Sequence, residues 1–263
     1  MSYRFVKVER EGPITLVTIN RPEVMNALHP PAQQEMEKVF DDFQNDSQQW
    51  IAIVTGAGDK AFSAGNDLKF QAEHGSAAVR DGLQGVKGGF GGLHRRTDLY
   101  KPVIAAVNGF ALGGGFEIVL SCDIIIAAEH ATFGLPEPRV GLMAGAGGVH
   151  RLPRQIPYHI AMGMMLTGRR VTARDAERYG LVNEVVPAAN LLATARKWAG
   201  EILECAPLSI RASKEAAVEG LGMTLPAALD HRFAGSAKMA ASADYIEGPR
   251  AFAEKRKPNW TGA

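Results

Sequence analysis

The sequence predicts an α/β fold built from ββα units in series and followed by a helical region. Three observations support this fold class. Two β-rich stretches separated by a short turn open the chain, apolar β-branched runs recur after them, and each run ends in turn residues that lead into a helix or a loop. This repetition favours a series of similar units over one open sheet.

The first predicted elements are a β-hairpin and an amphipathic helix. RFVKVER and ITLVTIN lie on either side of Glu11, Gly12 and Pro13, which are typical turn residues. In AQQEMEKVFDDFQ, apolar residues recur at spacings of three and four, which predicts one buried helical stripe. The residues of that stripe are Met36, Val39, Phe40 and Phe43.

Further buried strands are predicted for WIAIVTG, KPVIAAVNG, CDIIIAAEHATFG and GLVNEVVP, which are apolar, β-branched and followed by turn residues. After Pro187 the chain becomes rich in alanine and helical in pattern. We therefore predict a ββα core over residues 1–190 and a helical C-terminal region over residues 191–263. Between Gly75 and Gly92 the periodicity is lost and six glycines occur from Gly82 onward, so we expect a flexible lid or binding loop.

Composition and charge indicate a globular chain with no general attraction to polyanions. Of 263 residues, 46% are hydrophobic and 22% charged, and the net charge is +1, so we expect neither nucleic acid nor membrane as a partner. The N-terminal MSYRFVKVER lacks an apolar leader core, and no stretch reaches the roughly 20 apolar residues of a membrane span. With only two cysteines, Cys122 and Cys205, the sequence predicts a cytoplasmic protein.

Several common catalytic and binding motifs are excluded. VTGAGDKA matches G-x-G-x-x-A, but the following FSAGND does not open the amphipathic helix that a dinucleotide-binding turn requires. The sequence contains no P-loop motif, no G-x-S-x-G and no H-E-x-x-H, and its histidines lack zinc-ligand spacing. We therefore expect no metal site and no nucleotide cofactor.

Two glycine runs precede predicted helices. The run Gly113–Gly115 follows a buried strand, and the N–H groups of a helix that starts there could stabilise negative charge on a carbonyl oxygen. Close packing of the strand against the helix explains these glycines equally well. For the second run, Gly145–Gly148, close packing at a helix start is the main interpretation, although such a start would alter the pKa of a nearby carboxylate.

Two glutamates occur in apolar surroundings. Glu117 lies two residues after the triple glycine, and Glu137 lies in FGLPEPRVG after another strand-like run. Carboxylates in such contexts are candidates for a perturbed pKa and for acid–base catalysis. The alternatives are a first-turn helix residue for Glu117 and a surface loop carboxylate for Glu137.

Blocks spanning nearly the whole chain resemble the crotonase (enoyl-CoA hydratase) superfamily, in that family's order. The blocks are INRPEVMNAL, KAFSAGNDLK, PVIAAVNGFALGGGFEIVLSCDIIIA, ATFGLPEPRVGL, GAGGVHRLPR, TGRRVTARDAERYGLVNEVV and AFAEKRKP. The resemblance implies a crotonase-like spiral of ββα units with a helical C-terminal trimerisation region. The expected assembly is a homotrimer or a dimer of trimers.

The resemblance also implies a set of site residues. The N–H groups of Asn66 and Gly114 would form an oxyanion hole for the thioester carbonyl of an acyl-CoA. Further acyl-CoA contacts are implied at Met25, Asn26, Ala27, Ala64, Asp67, Leu68 and Lys69. Lys255, in the basic C-terminal stretch, would reach the phosphates of a CoA bound to a neighbouring subunit. No cofactor is expected, since CoA is part of the substrate.

Both glutamate positions of the hydratases in this family are filled, which favours reversible syn addition of water to a 2-enoyl-CoA. Glu117 would deprotonate the water and Glu137 would protonate the α-carbon. Isomerases of the family usually lack a carboxylate at the position of Glu117. An isomerase and a noncatalytic acyl-CoA-binding homologue remain as alternatives.

The resemblance has departures that leave the acyl group open. Met143 and Ala144 stand before Gly145 where many hydratases have proline, and His150 stands where they have glutamine. The blocks GGVHRLPRQIP, TGRR and AFAEKRKP lean toward the carnitinyl-CoA dehydratase branch. Residues 75–92 correspond to the family's most variable loop, which we expect to select the substrate.

Overall fold

The apolar β-branched runs form strands at the predicted positions. The computed structural model describes residues 3–263, so Met1 and Ser2 of the N-terminal stretch lie outside the described residues. Within that range the strands are β1 (Val6–Glu11), β2 (Ile14–Ile19), β3 (Ile51–Gly56), β4 (Ala61–Ser63), β5 (Val103–Val107), β6 (Phe110–Leu112), β7 (Ile124–Ala128), β8 (Thr132–Gly134), β9 (Arg170–Thr172) and β10 (Glu184–Val186).

Helices follow the strand pairs and fill the C-terminal part of the chain. They are α1 (Pro30–Asn45), α2 (Leu68–Asp81), α3 (Gly114–Val119), α4 (Gly148–Gln155), α5 (Tyr158–Thr167), α6 (Ala173–Arg178), α7 (Leu191–Leu203), α8 (Pro207–Gly220), α9 (Leu225–Asp230), α10 (Ala234–Ala240) and α11 (Ala243–Ala253). Among residues 3–263, no helix is both long enough and apolar enough to cross a membrane.

Each central unit gives one strand to each of two sheets. The larger sheet has the order β1-β2-β3-β5-β7-β10 and the smaller has the order β4-β6-β8-β9. Consecutive strands β3, β5 and β7 pair in parallel, as do β4, β6 and β8. The pairs β3/β4 and β5/β6 lead into α2 and α3, and the pair β7/β8 is followed by α4. This arrangement confirms the predicted α/β fold of serial ββα units.

The predicted hairpin and amphipathic helix are both present. β1 and β2 pair in antiparallel register around Gly12, whose φ of 58° is in the left-handed region that favours glycine. On α1, the four residues of the predicted stripe are at most 3% exposed. The stripe therefore packs into the core, as its spacing predicted.

The segment from Gly75 to Gly92 is more regular than predicted. Helix α2 continues to Asp81, although Gly75 interrupts it with a φ of 81° and a ψ of 157°. Nearly all of the side chains after Gly75 in α2 are exposed, so no apolar periodicity marks this part of the helix. Turns and a short 3-10 helix at Phe90–Gly92 follow.

The glycine-rich segment is fixed to α1 by buried polar contacts. The Gly88 N–H donates to both carboxylate oxygens of Glu37, at 3.0 and 2.9 Å. The Arg96 guanidinium lies 3.3 Å from Glu37 and 2.7 Å from Asp41. These charge-assisted bonds hold the second half of the segment in place.

The residues divide into two compact units. One contains the chain up to Arg196 without Thr97–Pro102, and the other contains Thr97–Pro102 with Lys197–Ala263. In the second unit, α8 and α10 are joined by a 2.6 Å bond from the Gly235 N–H to the Glu215 carboxylate. The region boundary predicted after residue 190 stays a prediction: α7 begins at Leu191, and the second unit resumes at Lys197.

Two buried asparagines hold the turn between β3 and β4. Asn108 accepts from the Gly56 N–H at 3.1 Å and donates to the Gly56 and Ala61 carbonyls at 2.8 and 3.2 Å. Asn26 donates to the carbonyls of Ala57 and Ala61 at 3.0 and 2.7 Å. The G-x-G-x-x-A match thus leads into β4 rather than into a helix.

Replacing Asn108 with alanine is expected to destabilise the protein. Asn108→Ala removes the partners of buried backbone groups and should lower the free energy of unfolding by roughly 2–3 kcal/mol. Asn45→Ala, which removes one exposed side-chain bond, is the control and should change that free energy by less than about 0.5 kcal/mol. Urea unfolding measures both values, and equal stability of the two variants would contradict the assigned role of Asn108.

Candidate active site

Three segments that carry predicted site residues meet at one edge of the smaller sheet. Strands β4, β6 and β8 are parallel neighbours, so the residues that follow them lie side by side. Asn66 lies beyond the end of β4, Gly114 beyond β6 and Glu137 beyond β8. The topology therefore brings these three residues together from positions far apart in sequence.

The turns after β4 and β6 approach each other backbone to backbone. A Cβ atom on Gly65 would lie 2.7 Å from the Gly114 nitrogen, and one on Gly115 would lie 2.1 Å from the Ser63 carbonyl oxygen. Gly65 also has a φ of 89°. Close packing, one of the two explanations for the glycine run 113–115, is therefore present, and it sets the distance between the two turns.

The backbone geometry leaves two N–H groups available near this contact. Leu28 donates to the Gly65 carbonyl at 2.8 Å and accepts from the Asp67 N–H at 3.2 Å, which is the pattern of a parallel bridge opposite Asn66. In such a bridge the middle residue faces the other way, so the N–H of Asn66 points away from Leu28. Gly114 is the first residue of α3, where N–H groups have no acceptor within the helix. Two such donors can hold one oxygen atom.

A cavity of about 350 Å³ contains this edge of the sheet. Its lining includes six of the predicted site residues, namely Ala64, Asn66, Leu68, Gly114, Glu117 and Glu137. Much of the remaining lining is apolar, with side chains such as Leu83, Phe90 and Met143. Polar groups in a largely apolar cavity interact more strongly than they would in water.

Glu117 is 3% exposed and lies in the first turn of α3. Burial raises the pKa of its carboxyl to about 7, and the nearby charge of Glu137 contributes to the increase. Its Oε1 accepts a 2.8 Å bond from the N–H of Gly148, the first residue of α4. The sequence predicts mainly a packing role for the glycine run 145–148, and the structure adds a second role, because its helix start holds this carboxyl group.

Glu137 begins the 3-10 helix Glu137–Val140 that follows β8. Its Oε2 is buried without a hydrogen-bond partner among the described residues, and its Oε1 lies 2.9 Å from the position of a Cβ on Gly113. Burial raises the pKa of this carboxyl as well. A buried oxygen without a hydrogen-bond partner disfavours the charged form of Glu137. A carboxylate on a surface loop would have both oxygens in water, so Glu137, which lines the cavity, does not fit that alternative.

Further residues of the site carry no recognisable signal in the sequence. Arg151 donates to the His94 carbonyl at 2.8 Å, and its charge favours the ionised form of Glu117. The Phe90 ring lies against Gly114, 2.4 Å from the position of a Cβ there. The Phe90 N–H donates to Nδ1 of His94, whose pKa burial lowers to about 4. These contacts arise from the packing of segment 88–96, which local spacing does not encode.

The predicted acyl-CoA contacts at residues 25–27 lie beside the turn after β4. The Ala64 N–H donates to the Met25 carbonyl at 2.9 Å, and Met25 is 46% exposed with a φ of 53°. Ala27 is buried. Asn26 is fully buried and bonded to its own surroundings, so it supports the loop instead of offering its side chain to a ligand.

Three further predicted acyl-CoA contacts differ in how freely their side chains could reach a ligand. The Asp67 carboxylate caps α2 through the Phe70 N–H at 3.1 Å and pairs with Arg21 at 2.9 Å. Lys69, on the first turn of α2, is exposed. Lys255 is exposed after α11 and has a φ of 55°. Contacts of these three residues with CoA stay predictions.

The raised pKa of Glu117 predicts a pH-dependent contribution to stability. A carboxyl whose pKa rises on folding destabilises the folded state as pH increases through that pKa, because its charged form is buried. Relative to the wild type, Glu117→Gln should gain up to a few kcal/mol of unfolding free energy between pH 4.5 and about 7, then level off. Unfolding titrations across this range, with Glu129→Gln as an exposed control, measure the difference. A pH-independent difference would contradict the raised pKa.

Comparison with known proteins shows the family to which the chain belongs. Residues 9–263 match the family model for enoyl-CoA hydratase/isomerase. The chain is 44% identical over 261 residues to a carnitinyl-CoA dehydratase of Salmonella arizonae, covering 98% of each chain. It is also 37% identical to the enoyl-CoA hydratase structure from Mycobacterium tuberculosis H37Rv, with a TM-score of 0.90 and coverage of 98% and 99%.

A second solved structure, an enoyl-CoA hydratase from Bacillus anthracis, gives a TM-score of 0.92 at 35% identity over 99% of this chain and 100% of that one. Identity and coverage at this level extend through both the ββα core and the helical C-terminal region. The predicted resemblance to the crotonase superfamily is confirmed, and the chain belongs to the enoyl-CoA hydratase/isomerase family.

Proposed function

We propose that this protein is a hydro-lyase that adds water reversibly, in syn geometry, to the double bond of a 2-enoyl-CoA. The observation that carries the proposal is that a buried glutamate, Glu117, and a half-buried one, Glu137, both with raised pKa, line the same cavity as Asn66 and Gly114. The names of the relatives support it, since carnitinyl-CoA dehydratase and enoyl-CoA hydratase both interconvert an alkene and an alcohol.

In this proposal the thioester oxygen accepts hydrogen bonds from Asn66 and Gly114. When water adds to the β-carbon, negative charge moves through the α-carbon onto this oxygen. Donors fixed by the backbone need no reorganisation as the charge develops, and each is worth roughly 3 kcal/mol of barrier. The close contact between the turns at Gly65 and Gly114 keeps the donors in place.

The two carboxyl groups divide the proton transfers. Glu117 takes a proton from water while the water oxygen bonds to the β-carbon, and Glu137 gives a proton to the α-carbon. The Gly148 N–H donates to Oε1 of Glu117, and a backbone hydrogen bond from Ala146 also favours its ionised form. The proposal places the water at Oε2. The unpaired, buried Oε2 of Glu137 fits a group that is protonated before the reaction. Solvent then returns the proton from Glu117 to Glu137, which balances the cycle.

Dehydration of a 3-hydroxyacyl-CoA is the same reaction in reverse and needs the same groups. The 44% identity to carnitinyl-CoA dehydratase favours this direction as the second candidate. Double-bond isomerisation needs no water-activating carboxylate, so a buried Glu117 held by Gly148 favours hydration over it. A noncatalytic binding protein would not need two carboxyl groups whose pKa burial raises, at a cost in stability.

The proposal extends to the rest of the acyl-CoA and to the assembly. CoA would lie along residues 25–27 and 64–69, with no cofactor and no metal taking part. Lys255 would approach the CoA phosphates of a neighbouring subunit in a homotrimer or a dimer of trimers. The cytoplasmic location predicted from the sequence belongs to the same proposal.

Hydration of crotonyl-CoA tests the reaction directly. The conjugated thioester absorbance should fall as 3-hydroxybutyryl-CoA forms. Glu117→Gln and Glu137→Gln should each lower kcat by about 100-fold or more with little change in KM, because each removes a proton-transfer group while conserving shape. The exposed Glu129→Gln variant is the matched control and should retain full activity. Full activity in Glu137→Gln would overturn its assigned role.

The pH profile of kcat/KM should be bell-shaped. Lowering the pH through about 7 protonates Glu117 and removes the base, so the rate should fall on the acid side. Raising the pH removes the proton from Glu137 and with it the acid, so the rate should fall on the alkaline side as well. The apparent values belong to the interacting pair. In Glu117→Gln the acid limb should disappear from the residual activity, and its persistence would contradict the assignment.

A further inference from the structure

Gln33 is a buried polar residue that the reaction does not use. Its side chain is part of the cavity lining, and the residue is only 1% exposed. Both Oε1 and Nε2 are buried without a hydrogen-bond partner among the described residues. A buried amide with neither donor nor acceptor satisfied destabilises a protein, so its position in a ligand cavity requires an explanation.

The position of Gln33 on α1 places it beneath the glycine-rich segment. Pro30, one turn before it, lies 2.8 Å from the position of a Cβ on Gly82. Glu37, one turn after it, accepts the bonds from the Gly88 N–H. Residues three and four apart share a helix face, so Gln33 lies on the face that this segment covers.

Gln33 therefore belongs to a different wall of the cavity from the two glutamates. Glu117 comes from α3 and Glu137 follows β8, whereas the wall around Gln33 is formed by α1, α2 and the segment after α2. The neighbouring lining side chains on that wall are apolar, including Leu68, Val79 and Leu83. The inference takes an acyl chain, with its thioester at Asn66 and Gly114, to extend toward this wall of the cavity.

We propose that Gln33 selects acyl groups that carry an uncharged oxygen, as a hydroxyl or a carbonyl, beyond the reacting double bond. The inference rests on the proposed function only in assuming that an acyl-CoA occupies the cavity. An amide offers one acceptor and two donors, which match such an oxygen. A trimethylammonium group has no hydrogen-bonding atom, and among residues 3–263 no lysine or arginine lines the cavity to pair with a carboxylate.

The test measures binding of saturated acyl-CoA thioesters, which cannot be hydrated. Butanoyl-, hexanoyl- and octanoyl-CoA are each compared with the thioester bearing a terminal hydroxyl, and with one bearing a terminal trimethylammonium group. The proteins are the wild type, Gln33→Met, which keeps length and removes hydrogen bonding, and the control Gln34→Met. Gln34 is the exposed neighbour on α1 that donates to the Gly82 carbonyl at 2.7 Å.

The wild type should bind at least one hydroxylated thioester about 10-fold more tightly than its alkyl counterpart, because a site built for hydrogen bonding rejects a ligand that lacks the group. Gln33→Met should lose this preference, and Gln34→Met should keep it. The inference would be overturned if the ratio of affinities for the hydroxylated and the alkyl thioester were unchanged in Gln33→Met. An equal loss of affinity for both thioesters would overturn it as well. If the wild type preferred the trimethylammonium thioester and Gln33→Met lost that preference, the inference would also be overturned.

The two proposals fail separately. Turnover of crotonyl-CoA with no effect of Gln33 on the binding ratio would leave the hydro-lyase proposal standing and remove this one. A binding ratio that depends on Gln33, without turnover of crotonyl-CoA, would support the role of Gln33 and remove the hydro-lyase proposal. Gln33→Met should melt at or above the wild-type temperature, since it removes an unpaired buried amide. If Gln33→Met does not fold, Gln33→Ala takes its place, and the same binding ratio is measured for that variant.

Discussion

The site depends on the direct contact between two backbone turns at one edge of the smaller sheet. A side chain on Gly65 or on Gly115 would lie within 3 Å of backbone atoms of the opposite turn. Because β4 and β6 are parallel neighbours, this contact joins the ends of two consecutive ββα units. The N–H groups of Asn66 and Gly114 therefore have positions set by the fold itself, and side-chain rotation does not affect them.

The electrostatics of the cavity follow from that arrangement. The helix that begins at Gly114 carries Glu117 into a nearly dry environment, where burial raises its pKa to about 7. The next strand end brings Glu137 beside the same turn, also with a raised pKa. The Gly148 N–H and the charge of Arg151 oppose the burial effect at Glu117. Burial thus raises the pKa of both carboxyl groups, and the proposed reaction uses Glu117 as the base and Glu137 as the acid.

The sequence predicted the parts of this site that depend on local spacing. The glycines before a helix start marked the run 113–115, and carboxylates in apolar context marked Glu117 and Glu137. The two donors, Asn66 and Gly114, were implied by the family resemblance. It did not predict the bond from Gly148 to Glu117 or the position of Phe90, because these contacts join segments distant in sequence. The helical turns after Gly75 were missed because their side chains are largely exposed and show no apolar period. Gln33 lies three residues before Met36, the first residue of the apolar stripe, and only its burial beside a cavity distinguishes it.

The central claim is that the N–H groups of Asn66 and Gly114 polarise a thioester carbonyl. Isotope-edited infrared spectroscopy of a bound enoyl-CoA, labelled with ¹³C at the thioester carbonyl, measures this directly. Two hydrogen bonds to the oxygen should weaken the C=O bond and move its stretching band to lower frequency than in the free thioester. A bound ligand whose carbonyl band stays at the free frequency would contradict the account.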